Sequence, residues 1–160
     1  LSAASLVISG LALSLLGPTP VVGQAYGPYV VDVAGSLQAV ATVTLNSQQA
    51  DRTGLFPFGT VPSGKRLVIQ HVSAEARMPT GQRLRVTLNT RLSGEPSARN
   101  HFLMMAFQAV LGGLDVLTAS QPIIAYADSN EQIGVNVQRT ASTGTATVKV
   151  TITGQLADRP

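Results

Sequence analysis

Arg83-Leu84-Arg85-Val86-Thr87-Leu88-Asn89-Thr90-Arg91-Leu92 decides the class of this fold. Leu84, Val86, Leu88 and Leu92 share one parity, while Arg83, Arg85, Thr87, Asn89 and Arg91 share the other. Successive side chains of a strand point to opposite faces, so this stretch reads as a strand with one buried and one wet face. Upstream, Arg66 to Arg77 reads as a second long strand, and Met78-Pro79-Thr80-Gly81-Gln82 supplies turn residues between the two. The expectation is a β-hairpin over Arg66–Leu92. Before it, Val61-Pro62-Ser63-Gly64-Lys65 places Pro to fix φ and Gly to tolerate positive φ, as a β-turn requires.

The same chemistry recurs outward from this core. Tyr29 to Val33 and Leu37 to Leu45 are β-branched runs broken at Ala34-Gly35-Ser36, with Asn46 to Gly54 as a polar loop and Leu55 to Gly59 as an apolar connection. His101 to Leu111 is apolar on both parities and suits a short helix or a doubly buried strand; strand is preferred. Gly112-Gly113-Leu114-Asp115 suits a tight turn into Val116 to Ala119, and Gln121-Pro122 precedes Ile123 to Ala127. Gln132 to Arg139 sets Ile133, Val135 and Val137 against Gln132, Asn136 and Gln138. Thr145 to Leu156 follows as its pair, with Ala146, Val148, Val150, Ile152 and Leu156 inward and a Thr row outward. The chain is therefore expected to be all-β, an antiparallel β-sandwich of jelly-roll or related Greek-key type with about eight or nine strands.

Ahead of this domain, Leu6 to Leu16 (LVISGLALSLL) is uncharged and apolar, stops at Gly17-Pro18 and is followed by Gly23-Gln24-Ala25. That order reads as the apolar region and small-residue cleavage site of a secretory signal peptide over residues 1–25, lacking its basic start, before a single domain over 26–160. As a helix the run spans only about 16 Å, against the roughly 20 residues that cross a bilayer. The competing readings are an uncleaved membrane anchor and a buried core strand or helix, against which Pro18 and Pro20 beside the small-residue site favour processing; with the signal removed, no membrane span is expected. An extracytoplasmic protein, periplasmic or secreted, follows. The chain has no Cys, which removes disulfides, thiolate metal sites and bacterial-type lipidation together, and a Cys-free exported domain leans bacterial.

Charged residues make up 12% of the chain and the net charge is +3. No basic cluster is longer than Lys65-Arg66, so nucleic acid is not an expected partner. The most distinctive polar feature is the Arg stripe Arg83, Arg85 and Arg91, with Arg77 expected beside it across the hairpin. Guanidinium groups pair with carboxylate, sulfate or phosphate in two-point fashion, so the stripe fits a sulfated or acidic polysaccharide, lipid phosphate or the acidic face of a protein partner. The competing reading is a solvated face whose charges discourage edge-to-edge association. Trp is absent, with only four Phe and three Tyr; sugar-binding modules rely on exposed aromatic platforms, so this scarcity counts against carbohydrate binding.

Other chemistry is thinner. Asp128, Asn130 and Glu131 offer the closely spaced oxygens that Ca²⁺ prefers, with Asp51 or Asp115 as contributors from other loops, but the same residues are what a turn requires. His71 and His101 lie in no ligand spacing and read as hydrogen-bonded structural residues. Glu75 and Glu95 would have to meet in space to act as a glycosidase pair. No nucleophile elbow and no phosphate-binding Gly loop occurs. No catalytic residue and no cofactor is assigned. The expected function is an exported, non-catalytic module for binding or surface interaction. The alternatives are a self-assembling structural or envelope subunit, packing through apolar edges or the Met104-Met105 region, and a small secreted hydrolase.

Overall fold

The computed structural model describes residues 25–26, 29–31 and 36–159. The apolar run Leu6–Leu16 and its junction at Gly23-Gln24 lie outside the described residues. The first described strand begins at Ala25, the last residue assigned to the leader.

Eleven strands are described, and no helix. β1 (Ala25–Tyr26), β2 (Tyr29–Val31), β3 (Ser36–Leu45), β11 (Ala146–Asp158), β5 (Lys65–Pro79), β9 (Leu114–Asp128) and β8 (Ala106–Leu111) form a seven-stranded sheet in that order. β4 (Asp51–Thr60), β10 (Gln132–Arg139), β6 (Leu84–Thr90) and β7 (Arg99–Leu103) form a four-stranded sheet in that order. Every pairing is antiparallel. The architecture is an antiparallel β-sandwich.

Val86, Leu88, Ile133, Val135, Val137, Ala146, Val148, Val150 and Ile152 are buried on the faces that alternation assigned to them, while Leu84, Leu92 and Leu156 are half-buried. Leu37, Ala39, Ala41, Val43 and Leu45 of β3, Val148, Val150 and Ile152 of β11 and Leu67, Ile69, Val72 and Ala76 of β5 are buried on the large sheet. Phe56, Val86, Leu88, Ile133, Val135 and Val137 meet them from the small one. Each large aliphatic side chain so buried contributes about 1.5–3 kcal/mol.

The Arg66–Leu92 hairpin does not form. β5 pairs with β11 and β9, whereas β6 pairs with β10 and β7 in the opposite sheet. The segment between them is an arch across the edge of the sandwich. Gly81 turns it at φ 84° and donates its N–H to Asp115 Oδ2 at 3.0 Å, while Arg83 N–H donates to Thr140 Oγ1 at 3.0 Å. The same correction applies to β10 and β11, which stand in different sheets. Alternation fixes which face of a strand is buried, and an arch buries those faces as well as a hairpin does.

Two other segments differ from expectation. Residues 101–111 are extended, as preferred, but form the end of β7 and all of β8, which belong to different sheets and are separated at Met104-Met105. β8 is largely exposed rather than doubly buried. The Gln121 side chain holds the crossing, donating to Phe102 O and accepting from Met104 N, both at 3.1 Å. Residues 51–60, read as polar loop and connection, are the edge strand β4. Pro57 is tolerated because it falls in the register step between Leu55 and Thr60 opposite β10.

The centre of the large sheet is irregular at Gln70. The β5–β11 register steps between Thr153 and Gly154, and the β5–β9 register steps between Ile69 and His71. The bulge drives the β5 backbone against Gly154, where a Cβ would overlap the Val68 carbonyl oxygen and sit 2.9 Å from Ile69 Cα. Only glycine fits there.

Candidate functional site

The outer face of the four-stranded sheet is assembled from the polar parity of four strands. Register aligns Thr53 of β4, Asn136 of β10, Thr87 of β6 and Phe102 of β7 in one row across the sheet. On one side of that row stand Gln138 and Arg85; on the other stand Asn89 and Asn100. Gly134, in register between Leu55 and Asn89, adds no side chain to this face. These residues line an open groove of about 380 Å³.

The groove holds its own side chains in place. Arg85 donates through Nη2 to Gln138 Oε1, and its guanidinium carbon lies 6.0 Å from the centroid of the Phe102 ring. Asn89 Nδ2 donates to Asn100 Oδ1 at 2.5 Å, and Asn136 Nδ2 donates to Thr53 Oγ1 at 3.2 Å. A carboxamide offers two donor hydrogens and an acceptor oxygen with two lone pairs. One internal bond each orients these amides and leaves capacity for a ligand. Arg85 is the one charged side chain among the lining residues.

The four predicted arginines separate. Arg77 lies on the large sheet, paired with Glu75 at 2.9 Å, and so does not flank the others. Arg83, exposed just ahead of β6, shares the parity of Arg85. Arg91 lies beyond β6, donates from Nε to Glu95 O at 3.0 Å and faces the Glu131 carboxylate at 3.9 Å. Only Arg85 enters the groove.

The Asp128-Asn130-Glu131 segment is occupied with holding the chain. Asp128 is buried and accepts Arg66 Nε on Oδ1 at 2.6 Å and Ser93 N on Oδ2 at 3.1 Å, with Arg159 3.6 Å from Oδ2. The Arg66 hydrogen bond is the largest influence holding its carboxyl below the usual aspartate range, with the Ser93 N–H and the Arg159 charge adding to it. Asn130 takes a left-handed φ of 67° and donates its N–H to Val61 O at 2.9 Å. Glu131 N–H closes the turn on Asp128 O at 3.1 Å. Asp115 accepts from Gly81, and Asp51 starts β4. Among the described residues, no three His, Asp or Glu side chains are grouped so as to hold a metal ion.

His71 and His101 stand on different sheets. His71 Nε2 is 3.1 Å from Ser120 Oγ, and His101 Nε2 is 3.0 Å from Thr90 Oγ1. Desolvation, and secondarily Arg99, pushes the His101 imidazole below its ordinary value. Glu95 pairs with Arg99 at 2.5 Å and Glu75 with Arg77, so each carboxylate has its own arginine.

Sequence reasoning did not find the groove as a unit. Gln138, Asn136, Asn89 and Phe102 were each legible on a strand, but β10 and β6 meet only through long-range pairing. It also missed Arg139, whose buried guanidinium donates to Asn46 O, Gln49 O, Thr143 O and Gly144 O at 2.9–3.1 Å and to Gln82 Oε1 at 3.5 Å. An arginine ending an alternating strand at a core parity is the signal that was available. No protein-family model matches the chain, and no curated protein sequence matches it.

Proposed function

We propose that this protein is an exported, non-catalytic binding module that takes an acidic polysaccharide on the outer face of its four-stranded sheet. The observation that carries the reading is the pairing of Arg85 with Phe102 in a groove otherwise lined by Thr53, Thr87, Asn89, Asn100, Asn136 and Gln138. A guanidinium held against a ring suits a ligand with a carboxylate beside an apolar sugar face. The amides and hydroxyls match the alternating donors and acceptors of sugar hydroxyls. The groove's openness to one face of the sheet suits a segment of polymer rather than an engulfed small molecule. A single arginine does not track a nucleic-acid backbone, which calls for many phosphate contacts. The run Leu6–Leu16 before Gly23-Gln24-Ala25 supports extracytoplasmic placement.

The test is retention of the protein on immobilised polygalacturonate against its fully methyl-esterified form. The acidic polymer retains the protein in a salt-sensitive way, and Arg85→Gln lowers that affinity about tenfold, the weight of one charge-assisted hydrogen bond. Equal retention of wild type and Arg85→Gln on both polymers rejects the reading.

A further inference from the structure

Strand β8 is a sheet edge protected by neither charge nor proline. Among the described residues, the two sheets end at β1, β8, β4 and β7. β1 is two residues long, β4 carries Asp51, Arg52 and Pro57, and β7 carries Arg99. Short length, charge and proline are the devices by which natural sheets avoid pairing with other chains. Ala106-Phe107-Gln108-Ala109-Val110-Leu111 has no charge and no proline, and no charged residue occurs from Phe102 to Leu114. Its apolar side chains face solvent: Phe107 is 59% exposed, Val110 52%, Leu111 58%, and Met104 just before it 80%. Its one blunting feature is the register step between Phe107 and Ala109 opposite β9, which leaves Ala109–Leu111 regular.

The turn at Gly112-Gly113, with both φ positive, joins Leu111 to Leu114 as a two-residue hairpin. In such a hairpin the pair flanking the turn is hydrogen-bonded, and the next pair, Val110 and Asp115, is not. The N–H and C=O of Val110 therefore point to the open edge.

We propose that this edge is an interface with the β8 strand of a second copy of the chain, paired antiparallel about a two-fold axis. Such pairing is self-complementary, so one patch serves both partners. The charge-free stretch sets no like charges opposite one another, although each chain carries a net charge of +3. A lipid surface is the weaker occupant. It would leave the Val110 backbone groups without hydrogen bonds in hydrocarbon, and the paired segment Ala106–Thr118 carries no Lys, Arg, Tyr or Trp to anchor at headgroups. The proposal is independent of the sugar groove, which lies on the other sheet.

Sedimentation equilibrium at micromolar concentration, together with amide exchange at Val110, tests it. Wild type sediments as a dimer, and Val110→Lys raises the dissociation constant at least about tenfold by placing a charge at the pairing edge. In the unmodified protein, Val110 amide exchange slows as concentration rises, a readout that needs no variant. A monomer throughout the micromolar range overturns the proposal. So does a dimer that neither Val110→Lys nor Phe107→Lys weakens, Val110 exchange independent of concentration, or a monomer that binds phosphatidylglycerol vesicles through this hairpin.

Discussion

Arg66 Nε and Asp128 Oδ1 meet at 2.6 Å, joining the second residue of β5 to the last residue of β9. Asp128 also receives the N–H of Ser93 and the charge of Arg159, so four segments converge on one buried carboxylate. Asp128→Asn removes the charge while keeping the shape, and leaves two guanidinium groups without their counter-ion. The expected loss is about 2–3 kcal/mol of unfolding free energy, read from urea denaturation.

The same carboxylate sets an acid limit. Its folded pKa lies below the unfolded value, so its contribution is complete above the ordinary aspartate range and is lost as pH falls through the folded value. Glu95 and Asp158 are lowered in the same direction, chiefly by hydrogen bonds from Arg99 and Lys65. His101 acts earlier: its folded pKa is depressed by desolvation, so the unfolded chain binds its proton first, and stability declines as pH falls below about 6.5. A shallow fall in melting temperature below about pH 6.5, steepening below about pH 4, is expected. Asp128→Asn flattens the steep portion, and calorimetry across pH reads the difference.

Arg139 fastens one end of the sandwich with no acidic partner among the described residues. Its guanidinium ties the 46–49 loop to residues 143–144 through carbonyl oxygens alone. Arg139→Met leaves those carbonyls without a buried donor, at a cost of about 3–5 kcal/mol. Arg139→Lys recovers only part, because an ammonium lacks the planar fork that reaches both loops. Thermal melting of the two variants orders them as wild type above Lys above Met.

Gly154 carries a backbone constraint that its exposure pattern does not reveal. A methyl group there must displace the Val68 carbonyl and the bulge around Gln70. Gly154→Ala is expected to cost about 2–4 kcal/mol, well above the roughly 1 kcal/mol of an ordinary glycine replacement. Equal melting temperatures for Gly154→Ala and wild type would show that the bulge yields.

The inward faces were legible because period-2 alternation is local: Val86 and Leu88, Ile133 to Val137 and Val148 to Ile152 are buried as read. Partners were not, because hydrogen-bonded neighbours such as Gln138 and Arg85 are far apart in the chain and nothing in either strand names the other. Hence the arches at 80–83 and 140–145 read as hairpin turns. Arg77 leaves the Arg stripe for the same reason, since it follows β5 into the other sheet, while Arg83 and Arg85 keep one parity. Arg85 was found as a residue, and its groove required the fold. The exposed apolar strand β8 read as core because hydrophobicity reports a preference for burial and not whether this chain satisfies it.

Side-chain amide NMR during titration with an acidic oligogalacturonide probes the proposed ligand face around Arg85 and Phe102. The expected result is a set of shifts in the carboxamide signals of Asn89, Asn100, Asn136 and Gln138 that saturate together, with the Val68 and Ile124 region of the other sheet unmoved. Those shifts disappear in Arg85→Gln and are absent with the methyl-esterified ligand. Saturable shifts confined to the Arg77 face, or none at any of the four amides, would contradict the proposed ligand face.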